Sequence, residues 1–170
     1  MKHFILSVIA LIFFVFEGFF AQFFANFGDH VLLIPRFMAV FLFFVTIYGS
    51  RKYGMIYGAI LGLGYDVVYT EILGVYMFLL PFLAYLLSKL MRVLHMNLWV
   101  VCLVSLFFVG VIELVSYEIN VVLSFTAMNF GEFLTSRLLP TLLLNFVFIL
   151  LFCYPLKRLM ERLDLRREAE

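Results

Sequence analysis

A chain of 170 residues that is 66% hydrophobic and 14% charged, with a mean hydropathy of +1.13, carries more apolar surface than a soluble domain of its size can bury. A helix needs about 20 apolar residues to cross a bilayer, so the length allows at most about six or seven crossings and leaves no room for a soluble domain. The formal net charge of +1 says nothing until the charges are placed by side, and nucleic acid is not an expected partner.

The apolar runs are long and continuous instead of alternating, which favours a helical bundle over a β-barrel. Residues 4–25 form the first run, behind Lys2 and His3. A cleavable signal peptide has a shorter core and a small-x-small site. This run is long, rich in Phe and contains Glu17, so an uncleaved first span is predicted. Ser7, Ala10, Glu17, Gly18 and Ala21 share roughly one face, the expected packed side, and Asn26 to His30 make a short polar loop. The second span covers about 31–49, with Pro35-Arg36 near its start, and Arg51, Lys52 and Tyr53 follow as a tight turn.

The third span, about 54–70, is rich in glycine, and Thr70-Glu71 close it. Gly54, Gly58 and Gly62 recur every four residues and drift only ~40° per step around a helix, a small-residue stripe that lets a second helix approach closely. Asp66 lies one step further on the same track, with Leu73-Gly74 beyond it. The fourth span runs about 72–91 with Pro81 inside, and Lys89, Arg92 and His95 mark its end. The fifth, about 98–124, is longer than a bilayer requires and should tilt or project. Glu113, Ser116, Tyr117, Asn120 and Ser124 give its second half a polar face. The sixth, about 133–154, carries Arg137, Thr141 and Asn145 at successive four-residue steps beside Pro140. Pro155 predicts a bend, after which Leu156, Leu159, Met160 and Leu163 stripe a basic amphipathic tail over 156–170 suited to a membrane surface.

The expected architecture is therefore an all-α integral membrane protein, with residues 1–155 forming a six-transmembrane-helix bundle. Basic residues set its orientation. With the N-terminus inside, ten of the twelve Lys and Arg fall on the cytoplasmic side and only Arg36 and Arg137 do not, so both termini are expected to be cytoplasmic.

Counting about 1.5 Å of rise per residue puts Glu17, Arg36, Asp66, Glu113 and Arg137 at one depth, in the outer half of the bilayer. An intramembrane carboxylate costs roughly 2.5–3.5 kcal/mol on insertion scales, so each should face protein or water. Three readings follow: an ion-pair network holding the spans in register, a substrate or ion site, or a polar crevice for a partner's helix or juxtamembrane segment. Asn145 belongs to the same candidate network, and arginines near helix ends can instead snorkel to the headgroups.

Other chemistry is sparse. There is no Gly-rich phosphate loop with Lys, no H-E-x-x-H and no G-x-S-x-G, and His3, His30 and His95 lie in three separate places. Cys102 and Cys153 match no metal or redox spacing and read as buried structural thiols. Glu113 and Glu118 stand ~140° apart on a helix and form no shared dyad. No cofactor, metal or catalytic residue is expected, and the chain does not read as an enzyme.

The outward first span with its acid, the Pro35-Arg36-Phe37 opening of the second, and Gly58-x-x-x-Gly62-x-x-x-Asp66 followed by Leu73-Gly74 resemble MreD, the rod-shape-determining membrane protein family. The resemblance covers length, span count and basic tail, though only the central Gly/Asp/Leu-Gly block is motif-like. It implies a non-enzymatic subunit of the bacterial elongation machinery in the cell membrane, maintaining cell shape and guiding peptidoglycan synthesis. It further implies MreC as direct partner, and MreB, RodA and a class B penicillin-binding protein through the complex, beside membrane lipid. The family's fold is similar to the S component of energy-coupling-factor transporters, so a solute-binding subunit of a vitamin transporter is the alternative. Against it, Ala-x-x-x-Ala, which would dock an energising subunit, occurs in the first span only as Ala21 and Ala25, near its outer end.

Overall fold

The computed structural model describes residues 2–25, 31–70, 72–94 and 96–163, and every regular element among them is helical. The polar loop expected at 26–30, Glu71, His95 and the tail from 164 onward, with Arg166 and Arg167, lie outside the described residues. Six helices follow one another: α1 (Lys2–Ala25), α2 (Phe37–Gly49), α3 (Arg51–Tyr69), α4 (Val75–Leu90), α5 (Leu98–Val122) and α6 (Phe130–Leu163). By length and composition α1, α5 and α6 can each cross a membrane, while α2 and α4 are shorter apolar helices.

The bundle is organised around α2. Its first eight residues, Phe37–Phe44, contain no polar side chain, and all eight are buried. A helix that is apolar on every side has no face to give to water and belongs inside. It packs against α1, α3, α4, α5 and α6. Those outer helices turn residues such as Leu11, Val15, Phe19, Leu103, Phe107, Leu143 and Leu151 outward, the inverse of a soluble protein and the pattern that fits a membrane protein.

The start of the second segment departs from the expected helix at about 31. Residues 31–36 form no regular secondary structure, and helix begins at Phe37. Pro35 disfavours α geometry in the residue before it. A non-helical backbone away from water needs outside partners, and α6 provides them. The Thr141 hydroxyl bridges Leu32 and Ile34, donating to the Leu32 carbonyl at 3.3 Å and lying 3.2 Å from the Ile34 N–H. The Asn145 amide donates to the Ile34 carbonyl at 3.0 Å and accepts the Arg36 N–H at 2.8 Å. Thr141 and Asn145, with the Ser136 carbonyl accepting the Leu32 N–H at 2.8 Å, thus hold the non-helical segment that delivers Arg36. At its other end α2 widens to π geometry over Val45–Gly49, and Ser50 caps α3 by accepting the Tyr53 N–H.

α3 and α4 form a tight hairpin. A Cβ at Gly58 would come within 3.0 Å of the Pro81 nitrogen, and one at Gly62 would overlap the Tyr76 carbonyl and the Met77 backbone. Gly54 faces a different neighbour, Thr46 in the π segment of α2. Gly74, at φ +105°, stands in the left-handed region immediately before α4. α6 is continuous through Pro155 and reaches Leu163, with Lys157 and Glu161 paired at 3.7 Å along its last turns.

Candidate functional site

Arg36, placed by the non-helical segment before α2, is the centre of the polar interior. Its side chain is 4% exposed, and each of its three nitrogens has an acceptor. Nε donates to Glu113 Oε1 at 2.6 Å, Nη1 to the Tyr65 hydroxyl at 2.8 Å and Nη2 to the Tyr76 hydroxyl at 2.9 Å. The guanidinium carbon lies 5.4 Å and 5.1 Å from the two tyrosine ring centroids, within cation–π range. Glu113, fully buried on α5, gives its other oxygen to Arg137 Nε at 2.9 Å. The Tyr76 hydroxyl also bonds Ser116, one turn beyond Glu113 on α5.

The carboxylate therefore bridges two cations carried by the non-helical segment before α2 and by α6. Burying such a group requires paired charge and satisfied hydrogen bonds together, and this arrangement has both. Arg137 belongs to a π segment, Leu134–Leu138, inside α6. A π turn inserts an extra residue into the helix and re-aims the side chains around it.

The other two acids are used differently. Asp66 is fully buried and makes no ion pair among the described residues. Its Oδ2 accepts the N–H groups of Gly74 and Met77 and its Oδ1 that of Tyr76, each at 2.9 Å. These are the unpaired donors at the start of α4, and the positive end of the helix dipole favours a carboxylate there. Asp66 thus departs from the expectation that the acids and arginines at one depth compensate each other. Its charge is met by a helix terminus only eight to eleven residues further along the chain. Glu17 on α1 does the same for α2, its Oε2 accepting the Met38 N–H at 2.8 Å.

The six candidate polar residues thus divide. Arg36, Glu113 and Arg137 form one ion-paired layer, Asn145 positions the backbone that carries Arg36, and Glu17 and Asp66 hold helix starts. Tyr65, Tyr76 and Thr141 complete the arrangement. A signal for Tyr65 and Tyr76 was present in the sequence: a tyrosine hydroxyl far from water seeks a partner, and Arg36 is the donor-rich group at that depth. Cys102 and Cys153 are both free thiols buried in the core. Among the described residues no group of three His, Cys, Asp or Glu could hold a metal.

Next to the ion-paired layer lies a cavity of about 560 Å³. Arg36, Tyr65, Tyr76, Ser116 and Arg137 belong to its wall, together with Ile34, Tyr69, Thr70, Ile72, Ile119, Asn120 and Phe125 from the neighbouring loops and helix ends. Every helix except α2 contributes, so protein rings the space. Among the described residues no carboxylate lines it. It offers hydroxyls, an amide and guanidinium edges among apolar groups, suited to binding and without a nucleophile paired to a base.

The family model for the rod shape-determining protein MreD matches residues 1–163. The Rod shape-determining protein MreD of Bacillus subtilis (strain 168) is 36% identical over 159 residues, covering 92% of each chain. The Cell shape-determining protein MreD of Streptococcus pneumoniae (strain ATCC BAA-255 / R6) is 31% identical over 132 residues, covering 78% of this chain and 80% of the relative. No solved structure matches.

Proposed function

Because this chain belongs to the MreD family of rod shape-determining proteins, we propose that it serves cell-shape maintenance as a non-enzymatic subunit of the elongation complex. In this reading it crosses the bacterial cell membrane six times with both termini cytoplasmic, and the basic residues after Pro155 lie along the inner surface. It acts with MreC as direct partner, and through the complex with MreB, RodA and a class B penicillin-binding protein, to guide peptidoglycan synthesis. The supporting features are the distribution of ten Lys and Arg to one side and three helices of spanning length.

The observation that carries the partner assignment is the cavity. In the proposed topology the ends of α3 and α5 and the segments around residues 34 and 72, all in its wall, face outward. The polar interior then opens toward the compartment where a periplasmic partner would stand. A receptor for a partner segment needs a shaped, partly apolar recess with fixed polar groups, and this recess has both. The test is co-purification of the full-length protein, in mild detergent, with the single-span coiled-coil protein encoded beside it. Stoichiometric capture supports the reading, and failure to capture it from cells expressing both rejects it.

One observation also favours the transporter alternative: about 560 Å³ lies within the range of small-molecule pockets, roughly 300–1,000 Å³. Nanomolar binding of a vitamin by the purified protein would replace the scaffold reading with that of a solute-binding subunit.

A further inference from the structure

Of the charged groups described around the cavity, one has donors to spare. Asp66 gives its oxygens to three backbone N–H groups, Glu17 bonds Met38, and Glu113 bonds two guanidiniums; none of the three lines the space. Arg36 has an acceptor at every nitrogen. Arg137 differs. Glu113 holds its Nε at 2.9 Å, and among the described residues its two terminal nitrogens have no partner. Its side chain keeps 19% of its surface exposed, and the residue lines the cavity.

A guanidinium anchored through Nε presents its remaining N–H groups as a fixed planar fork, which matches the two oxygens of a carboxylate. Glu113 is shared between the two guanidiniums, and among the described residues no carboxylate stands at the open edge of Arg137. Size restricts the visitor as well. One turn of helix about 10 Å across occupies roughly 420 Å³ by its own geometry, so a cavity of about 560 Å³ takes the tip of a segment and not a packed span.

Resting on the reading that a partner segment enters here, we propose that the segment is anchored by a carboxylate, an Asp or Glu side chain at its tip, received by the open edge of Arg137. Tyr69 and Asn120 stand in the same wall to meet the adjoining backbone. The segment that enters is therefore a juxtamembrane tip, and Arg137 is its specificity-determining contact.

The test uses the full-length protein in lipid nanodiscs, with N-acetyl-glutamate amide as probe and N-acetyl-glutamine amide as its neutral twin. A ligand that binds only the native state raises the unfolding temperature. The acid should raise it and the amide should not, and Arg137→Gln should weaken the acid's binding by roughly tenfold or more, because a charge-assisted two-point contact is lost. Equal responses to acid and amide overturn the proposal, and this comparison needs no variant should Arg137→Gln fail to fold. A stronger response to inorganic phosphate than to the acid overturns the carboxylate assignment.

Co-purification separates this inference from the reading beneath it. Undiminished capture of the partner by Arg137→Gln refutes the anchoring role while leaving the partner reading intact. If wild-type protein binds the acid and captures no partner, the site belongs to a free carboxylic acid and the partner form is refuted.

Discussion

Replacing Asp66 separates its role as a helix cap from a role as counter-ion to the arginines. The side chain is fully buried and holds three N–H donors at 2.9 Å, two on Oδ2 and one on Oδ1. An ordinary N-cap contributes about 1 kcal/mol. Each buried donor left without an acceptor costs about 1–3 kcal/mol. Asp66→Ala frees three donors, some of which recover partners by relaxation, so a loss of about 3 kcal/mol is expected. Asp66→Asn can turn its oxygen to the Oδ2 position and keep Gly74 and Met77, leaving its NH₂ against the Tyr76 N–H. Its expected loss is about 1–2 kcal/mol, the scale of one missing charge-assisted bond. The assay is reversible unfolding of the full chain in mixed micelles by SDS titration, followed by far-UV circular dichroism. A double variant Asp66→Asn/Arg137→Gln should be additive within about 0.5 kcal/mol, since the two residues share no partner. Coupling above about 1 kcal/mol, or an Asp66→Ala protein as stable as wild type, would refute the capping argument.

Glu113→Gln leaves two arginines facing a neutral amide and should destabilise by about 3–5 kcal/mol in the same assay, the cost of breaking a buried pair from one side. Glu113→Gln and Arg137→Gln, unlike the previous pair, should be strongly non-additive. Gly62→Ala places a methyl against the Tyr76 carbonyl and should destabilise by about 1–3 kcal/mol, as overpacking does. Gly110→Ala, where the nearest atom would be Leu142 Cδ2 at 3.6 Å, should be neutral or stabilising by up to ~1 kcal/mol, since helical alanine outranks glycine. Equal effects at the two glycines would contradict the hairpin packing. Asn145→Leu removes its two bonds to the non-helical segment, at Ile34 and Arg36, and should cost about 2–4 kcal/mol by the same accounting of unpaired buried groups. Amide hydrogen exchange should speed up at Arg36, and unchanged protection there would count against Asn145 as its anchor.

Much of the protein is legible in its sequence because helix is the only economical way to hide a backbone from lipid. Long apolar runs therefore announce helices wherever they occur. The positions of α1, α4 and α5 follow from that alone, and in α3 the four-residue glycine spacing marks a face of close approach before any partner helix is known. Composition likewise forces any ionised group in such a chain to find company, so Glu17, Arg36, Asp66, Glu113 and Arg137 stand out at once.

What the sequence did not determine is which company each group keeps. A depth counted along separate helices makes all five charges equivalent, because distance along a chain carries no information about rotation around neighbouring axes. Tertiary structure broke that equivalence. It turned Asp66 toward the start of α4, because the hairpin closed by Gly58 and Gly62 brings three unpaired N–H groups to its carboxylate. It set Glu113 between two arginines, because the segment carrying Arg36 is hydrogen-bonded along the helix whose π turn carries Arg137, and Glu113 on α5 reaches both guanidiniums. It also replaced the first turns of the expected second helix with a non-helical segment. Pro35 weakens helix there, and Ser136, Thr141 and Asn145, far away in the chain, supply the hydrogen bonds that a helix would have made. Gly58, Gly62 and Asp66, near one another in sequence, close one hairpin. The arginines, far apart in sequence, share one carboxylate and border one cavity.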